Sequence, residues 1–289
     1  MENSIALTKE HISVLDEIYK SESVTNDLTG DRSVVRAGVN ANEICYPQIS
    51  VQGLGDYDRN SGYTGNSVSL VWQTTKFNYD RGTKISIDAM DNQETFDIAF
   101  GRASRELMRS QIAPEADAFT FATLAGISGI SKKSATFSSV ENFLTALIGA
   151  KNVMDEDEVP EEDRILYATP TLLNGLLALD TYKSKEVINF FSAVKKVPQS
   201  RFYTAIDLLD GKSTGEETGG YRKSANGKEI NFMIIHKPAL IKYDKHVTSN
   251  IIAPNNNPDS DSYILKYRKY GIVDVYKNKA AGIYMNYKE

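Results

Sequence analysis

The chain has 289 residues, of which 41% are hydrophobic, and it carries a formal net charge of −5. This length and composition can bury one elaborated core or two interleaved ones. A negative net charge provides no general attraction for phosphate backbones, which excludes tight non-specific binding of DNA or RNA. The single cysteine, Cys45, excludes an internal disulfide. We interpret it as a free buried thiol in a protein made in a reducing cytoplasm.

Export and membrane insertion are not indicated by the sequence. The opening residues MENSIALTKEH contain charges where a secretory signal requires an apolar run. Nowhere do about 18 apolar residues follow one another, as a membrane-spanning helix requires. We therefore expect a soluble protein with no membrane partner. An amphipathic stretch from Ile12 to Tyr19 and a polar segment up to Ser33 predict a terminal arm.

Two β-strands joined by a long loop are predicted in the first third of the chain. The segments Ile44–Gln52 and Val68–Phe77 are rich in β-branched and aromatic residues, and Val68, Leu70 and Trp72 alternate with their neighbours. The connecting sequence GLGDYDRNSGYTGN has the glycine, asparagine and aspartate content of an exposed loop tip. The pattern predicts a hairpin that projects from the core.

A strand and a long helix are predicted next. After a turn at Asp80–Gly82, alternation predicts a strand over Thr83–Asp88. Asp91 is expected to cap a helix whose apolar side chains fall on one face as far as Phe121. Pro114 lacks an amide hydrogen, so the helix should bend or restart there.

The second half of the chain reads as a mixture of helices and strands. Ser138 and Glu141 have the spacing of a capping box for a helix that ends near Met154. Ile165–Ala168 reads as a buried strand, and Thr169-Pro170 as the start of a helix, which together predict a β-to-α unit. Further extended segments are predicted over residues 230–234, 248–252, 262–269 and 272–287.

The sequence Gly211-Lys212-Ser213-Thr214 is similar to the end of a phosphate-binding loop. Such a loop requires glycine five positions before Gly211, where this chain has Ile206, and it must connect a buried strand to a helix. A glycine-rich segment follows instead, so we interpret the motif as a surface loop. A nucleotide-binding enzyme, the distant alternative, would bind ATP in a manner that depends on Lys212.

Metal and cofactor chemistry find little support in the sequence. The histidines, His11, His236 and His246, are not at metal-ligand spacings, and a single cysteine cannot complete a zinc set. Scattered carboxylates are most often structural or solvated. We therefore predict no catalytic, cofactor-binding or metal-binding residues.

The segment between Phe77 and Thr123 resembles the arm base, strand and spine helix of the major capsid proteins of tailed bacteriophages. The matching stretches are NYDRG, ISIDAMDNQETFD and RSQIAPEADAF. RILYATPTLLNGL and YGIVDVYKNKAAGIYMN are similar to the family's axial-domain strand and helix and to its terminal β-segment. The resemblance implies an α+β fold of the Hong Kong ninety-seven type. Such a fold has an N-terminal arm, an extended β-hairpin arm, a peripheral domain with a long spine helix, and an α/β axial domain.

The resemblance also implies how these parts are distributed along the chain. The spine helix is expected over about Gln93 to Phe121, and the extended arm over about Pro47 to Arg81. The implied parts are the N-terminal arm 1–46, the hairpin arm 47–82, the peripheral domain 83–132 and 236–270, and the axial domain 133–235 and 271–289.

A structural function follows from the resemblance. It implies a subunit, not an enzyme, that forms hexamers and pentamers of an icosahedral virion capsid around double-stranded DNA bound without sequence specificity. Assembly is expected in the host bacterial cytoplasm, with a separate scaffolding protein, a portal protein and candidate decoration proteins as partners. No covalent crosslink is expected. The alternative is an encapsulin-like nanocompartment, which shares the fold but encloses a cargo enzyme.

Candidate subunit-interface residues lie on the hairpin and at its base. The junction residues Asp80 and Arg81 have two interpretations, an ordinary solvated turn or an intersubunit ion pair. The complete set is Asp56, Tyr57, Arg59, Tyr63, Trp72, Asp80 and Arg81.

Overall fold

The computed structural model describes residues 18, 22–30, 36–37, 42–63, 65–94, 98–179 and 182–289. The described residues divide into two compact units, one within Met1–Gly30 and Tyr79–Glu289 and the other within Asp31–Asn78. We call the first unit the body and the second the arm unit. Of the amphipathic stretch predicted from Ile12 to Tyr19, only Ile18 is among the described residues.

The described chain contains both helices and strands in comparable amounts, which confirms the predicted α+β class. The strands are β1 (Arg36–Ala37), β2 (Glu43–Val51), β3 (Val68–Lys76), β4 (Tyr79–Asp88), β5 (Ser131–Ser134), β6 (Arg164–Ala168), β7 (Ala193–Lys196), β8 (Ile206–Leu208), β9 (Tyr221–Lys223), β10 (Ile230–His236), β11 (Leu240–Ile252), β12 (Ser262–Val275) and β13 (Ile283–Tyr287). The helices are α1 (Ala89–Glu94), α2 (Ile98–Leu107), α3 (Ala113–Gly126), α4 (Val140–Glu156), α5 (Pro170–Ala178) and α6 (Tyr182–Asn189). A π-helical turn, Met108–Ile112, joins α2 to α3.

The arm unit is built on a hairpin whose long strands pair antiparallel from end to end. The pairing of β2 with β3 runs from Glu43 opposite Lys76 to Val51 opposite Val68, and β1 pairs with the start of β2. The predicted hairpin is therefore confirmed. Cys45 is only half-buried, so the prediction of a buried thiol is wrong. Side chains alternate between the two faces of a strand, and Cys45 lies on the opposite face from its buried neighbours Ile44 and Tyr46.

A five-stranded sheet with the order β5-β13-β10-β6-β7 lies inside the body. β10 pairs antiparallel with β13 and β6, whereas β5 and β7 add in parallel at the edges. All of β10 is buried, because apolar clusters cover both of its faces. Met233 and Ile235 contact one cluster, and Phe232 and Ile234 contact the other.

Helices cover both faces of this sheet. Phe143 and Leu147 of α4 pack on one face together with side chains of α5 and α6, and Phe121 of α3 packs on the other. The hydroxyl of Ser139 caps α4, so the capping box predicted at Ser138 is one residue too early. Thr169 occupies the N-cap position of α5 with Pro170 in its first turn, as predicted, although no side-chain bond closes the cap.

The spine helix packs on a second sheet, with the order β11-β12-β4. Met108 and Ile112 of the π-turn contact Leu265 and Tyr267 of β12. The predicted break near Pro114 is confirmed: the Ala113 amide donates to the Met108 carbonyl, five residues back, just before the proline. A wide turn of this kind accommodates the missing amide hydrogen of proline without ending the helix.

The start of this region differs from the prediction. The turn expected at Asp80–Gly82 is instead part of β4, which pairs with β12 from its first residue, Tyr79. The helix α1 begins before Asp91, and the carboxylate of Asp88 accepts a hydrogen bond from the Met90 amide at 2.9 Å. Asp88 therefore has the capping role that we predicted for Asp91, because the strand runs directly into the helix.

Replacing Phe121 by alanine should strongly destabilise the body. The ring is fully buried and lies in T-shaped contact with Tyr167 and Phe202, at centroid distances of 5.3 and 4.8 Å. Its removal leaves a cavity in a close-packed core, which costs about 3–5 kcal/mol. Denaturant unfolding measures the loss. The control Val153→Ala, at an exposed site on α4, should cost less than about 1 kcal/mol. Equal effects of the two changes would contradict the core assignment.

Candidate assembly surface

One face of the hairpin carries a continuous run of apolar side chains. Residues opposite each other in an antiparallel pair share a face, so the register determines which side chains lie together. We call this set the apolar stripe. It consists of the pairs Pro47 and Trp72, Ile49 and Leu70, and Val51 and Val68. Every member is exposed and none is charged.

The opposite face of the hairpin is mostly polar over the same length. Gln48 lies opposite Val71, and Ser50 lies opposite Ser69. Val71 is therefore an isolated apolar residue among polar neighbours. One face of the ribbon is therefore exposed and apolar, and the other face is polar. This pattern is typical of a sheet whose apolar face is covered by a second layer.

A tight turn organises the tip of the hairpin. The Asp58 carboxylate accepts hydrogen bonds from the backbone amides of Asn60 at 2.6 Å and Ser61 at 3.1 Å, and these bonds lower its pKa. Gly62 closes the turn with a φ of 81°, a conformation that favours glycine. The rings of Tyr57 and Tyr63 contact each other edge-on at a centroid distance of 4.9 Å. The exposed loop tip predicted from the sequence is confirmed.

The predicted interface residues fall into two groups. Trp72 lies on the apolar stripe, whereas a second set lies on the exposed tip. That set comprises Asp56, Tyr57, Arg59 and Tyr63. The remaining two, Asp80 and Arg81, lie on β4 of the body. An interface role for each of them stays a prediction.

Arg81 is bound within its own chain. Its Nε donates to Glu115 Oε1 at 2.7 Å, and its Nη2 donates to Glu115 Oε2 and to the Gly220 carbonyl, both at 3.1 Å. The Tyr79 hydroxyl also donates to Glu115, at 3.1 Å. The bond to Glu115 raises the pKa of Arg81. The interpretation of Arg81 as a solvated turn residue is therefore wrong, because it is a half-buried anchor of β4 on α3.

Asp80 forms a different pair on the same strand. Arg268 of β12 donates to both of its carboxylate oxygens, at 2.9 and 2.7 Å, and these bonds lower the pKa of Asp80. Both side chains are exposed, at 44% for Asp80 and 58% for Arg268. Exposed ion pairs typically contribute about 0–1 kcal/mol to stability.

Sequence reasoning missed the partners of the predicted residues. Glu115 and Arg268 lie far along the chain from β4, and no local spacing links them to it. The other half of the apolar stripe was detectable in principle. Pro47, Ile49 and Val51 alternate with Gln48 and Ser50, which is a period of two.

The segment Gly211–Gly215 is a loop, as predicted. The Asp210 carboxylate accepts hydrogen bonds from the amides of Lys212 at 2.7 Å and Ser213 at 2.8 Å and from the Ser213 hydroxyl, and these bonds lower its pKa to about 2. The segment follows β8 and leads to β9, not to a helix. A phosphate-binding loop and a nucleophile elbow both require that helix.

The described residues contain no candidate metal site and no candidate membrane span. In the part of the chain that the structure describes, no group of three or more histidine, cysteine, aspartate or glutamate side chains is arranged to hold a metal ion. No helix among the described residues is long and apolar enough to span a membrane.

No protein-family model matches the chain, and no curated protein matches its sequence. Solved structures do match it over most of its length. A structure from Mycobacterium phage Che8 has a TM-score of 0.60 at 12% identity and covers 91% of this chain and 90% of its own. The capsid of cyanophage P-SCSP1u has a TM-score of 0.59 at 14% identity, with 92% and 88% covered. A virus-like particle from Pyrococcus furiosus has a TM-score of 0.58 at 11% identity, with 98% and 99% covered.

These matches establish the fold of the chain. It is the Hong Kong ninety-seven type of fold found in phage major capsid proteins, as the sequence resemblance predicted. The coverage of both chains shows that the likeness includes most of the elements described above and is not confined to one motif.

Arg81→Ala should destabilise the isolated subunit. The substitution leaves the nearly buried Glu115 carboxylate without its cation, with Tyr79 as its remaining side-chain donor. The expected loss is about 1–3 kcal/mol, measured by denaturant unfolding. The control Arg268→Ala breaks an exposed pair with equally good geometry and should leave the melting temperature close to that of the wild type. Equal melting temperatures for both variants would contradict the anchoring role.

Proposed function

We propose that this chain is a structural shell protein that assembles with copies of itself into the capsid of a tailed bacteriophage. The observation that carries the proposal is the apolar stripe. A two-stranded ribbon cannot bury such a stripe within itself, and a contiguous exposed apolar surface marks a site of interaction. The capsid fold supports the same conclusion, since the covering layer is then a neighbouring subunit.

In this proposal the subunits form hexamers and pentamers of an icosahedral shell. Each copy then meets its neighbours at slightly different angles, and an interface carried by a projecting hairpin tolerates such differences. The proposed connection between subunits is the hairpin of β2 and β3 with its loop, because residues 79–82 of the predicted hairpin arm 47–82 and residues 22–30 of the predicted N-terminal arm 1–46 belong to the body. The peripheral domain (83–132 and 236–270) and the axial domain (133–235 and 271–289) form the wall.

The contents and partners of the shell follow from the same proposal. The net charge of −5 disfavours adhesion of the wall to packaged double-stranded DNA, which is enclosed without sequence-specific contacts. A separate scaffolding protein, a portal protein and decoration proteins are the proposed partners. The protein is then a component of the virion, assembled in the host cytoplasm, and its role requires no catalysis.

An encapsulin-like nanocompartment is the second candidate. It is favoured by the match to the virus-like particle from Pyrococcus furiosus, which is as close in fold as the phage structures. Electron microscopy of negatively stained particles tests assembly itself, and analysis of the particle contents separates the candidates. Enclosed DNA supports the capsid, and an enclosed protein supports the nanocompartment. A persistent monomer at high concentration would contradict both.

The apolar stripe predicts that one face of the hairpin is essential for assembly. Leu70→Ser places a polar side chain on the stripe, whereas the control Val71→Ser changes the adjacent residue on the opposite face. The exposed fractions of the two side chains are similar, 53% and 49%. Both variants should fold normally. We expect Leu70→Ser alone to lower the shell yield, measured by size-exclusion chromatography and electron microscopy. Equal yields for the two variants would show that the stripe is not the interface.

Replacing Asp56–Asn66 with a short Gly-Ser turn separates folding from assembly. The tip is exposed and polar, and loop-closure entropy depends only logarithmically on length, so the subunit should keep its melting temperature and circular dichroism. The replacement removes contact area from each neighbouring pair of subunits. We expect monomers or isolated capsomers in size-exclusion chromatography. An insoluble product would show that the tip belongs to the core of the subunit. Normal closed shells would show that the tip is not needed for assembly.

A further inference from the structure

One buried carboxylate fastens the segment Glu22–Gly30 to the body. We call this segment the strap. Asp117 of α3 is fully buried and accepts four hydrogen bonds from the strap. The donors are the Ser23 hydroxyl at 2.8 Å, the Val24 amide at 3.0 Å, the Thr25 amide at 3.1 Å and the Thr25 hydroxyl at 2.7 Å. So many bonds to one buried carboxylate define a specific docked state of the strap.

Cations and apolar packing complete the attachment. Arg201 donates to Asp117 at 3.1 Å and to the Glu22 carbonyl at 3.0 Å, which supplies the counter-charge that a buried carboxylate needs. Lys195 forms an ion pair with Asp27 of the strap. Leu28 is inserted into the apolar core of the body.

Lys242 of β11 also contacts the strap, but the environment of its amine differs from those of Arg201 and Lys195. Its side chain is buried, and its Nζ donates to the carbonyl and hydroxyl oxygens of Thr25, both at 2.7 Å. Among the described residues no carboxylate forms an ion pair with this amine. A neutral amine has two N–H donors, which match the two Thr25 oxygens. A protonated amine would instead be a buried positive charge with no paired anion.

The charged groups around Lys242 are already paired with other partners. These pairs are Asp117 of α3 with Arg201, Asp244 of β11 with Lys269 of β12, and Asp27 of the strap with Lys195 of β7. Tyr79 of β4 lines a small cavity beside Lys242, and its hydroxyl donates a hydrogen bond to Glu115. Burial is the main cause that lowers the pKa of Lys242, to about 7. Repulsion from Lys269 adds to it, and attraction to Asp117 and Asp244 opposes it.

The position of the strap in the chain connects this site to the arm unit. The strap ends at Gly30, whose amide donates to the Lys242 carbonyl at 2.9 Å, and the arm unit begins at the next residue. The chain re-enters the body at Tyr79, whose hydroxyl donates a hydrogen bond to Glu115. The strap is therefore the anchor of the arm unit at its N-terminal end.

We propose that the strap is a pH-sensitive anchor of the arm unit, docked while the Lys242 amine is neutral and loosened when that amine binds a proton. This inference rests on the proposed function, because it concerns regulation of the arm that assembly uses. A loosened strap releases from the body the segment of chain that leads into the arm unit.

The direction of the pH effect follows from the two states of the lysine. When the strap is undocked the amine meets water and regains its ordinary pKa of 10.5. The undocked state therefore binds more protons, and docking strengthens as the pH rises from about 7 towards 10.5. With these two values the docking equilibrium constant falls by about 30-fold between pH 8.5 and pH 6.

Hydrogen exchange of the full, unassembled chain tests the proposal. The amides of Val24, Thr25 and Gly30 should lose about 30-fold in protection from pH 8.5 to pH 6, after correction for intrinsic exchange. The amides of β10 provide an internal reference, because they should change far less. Lys242→Met should make strap protection independent of pH, and the control Lys266→Met, at an exposed site on β12, should leave the dependence intact.

The outcomes are distinguishable from those of the assembly experiments. Strap protection in the wild type that does not change with pH overturns the proposal, and so does a pH dependence that survives in Lys242→Met. If that variant does not fold, titration of the lysine side chains of the wild type by NMR replaces it. An ordinary pKa for Lys242 then overturns the proposal. Neither readout requires shells, so a failure to assemble affects only the proposed function.

Discussion

Two carboxylates that lie two residues apart on α3 bind the two segments of chain that flank the arm unit. Glu115 binds Arg81 and Tyr79, where the chain leaves the arm unit, and Asp117 binds the strap, where the chain enters it. Side chains two residues apart on a helix do not face each other, so one helix can hold two separate segments. Each carboxylate is paired with an arginine, Arg81 or Arg201. The pairing offsets the large cost of burying the charge.

The body and the arm unit are stabilised in different ways. The body contains a sheet covered by apolar clusters on both faces and a spine helix packed on a second sheet, so its core is complete in one chain. The arm unit is a ribbon with a solvent-exposed apolar face. Its hydrogen bonds determine its shape, but the stripe gains stabilisation only when another surface covers it.

The hairpin was predicted correctly, whereas an interface role for the candidate residues on it stays a prediction. The hairpin, its exposed tip and the alternation around Trp72 follow from residue types within a few positions of each other. Arg81 was interpreted from its neighbours in the chain as a surface residue, yet its partner Glu115 lies 34 residues away. The buried thiol predicted for Cys45 failed for a similar reason. Burial depends on what covers a strand, and composition does not show that.

The sequence by itself determined the local elements of this protein. Alternation with a period of two specified the hairpin strands, Pro114 specified the irregularity in the spine helix, and Thr169-Pro170 specified the start of α5. The tertiary structure alone decided which elements meet. It brought Thr25 to Asp117, 92 residues away in the chain. It also paired β2 with β3, so that apolar residues of the two strands form one surface, the apolar stripe. These outcomes depend on packing between distant segments, whereas local patterns record only the conformational preferences of neighbouring residues.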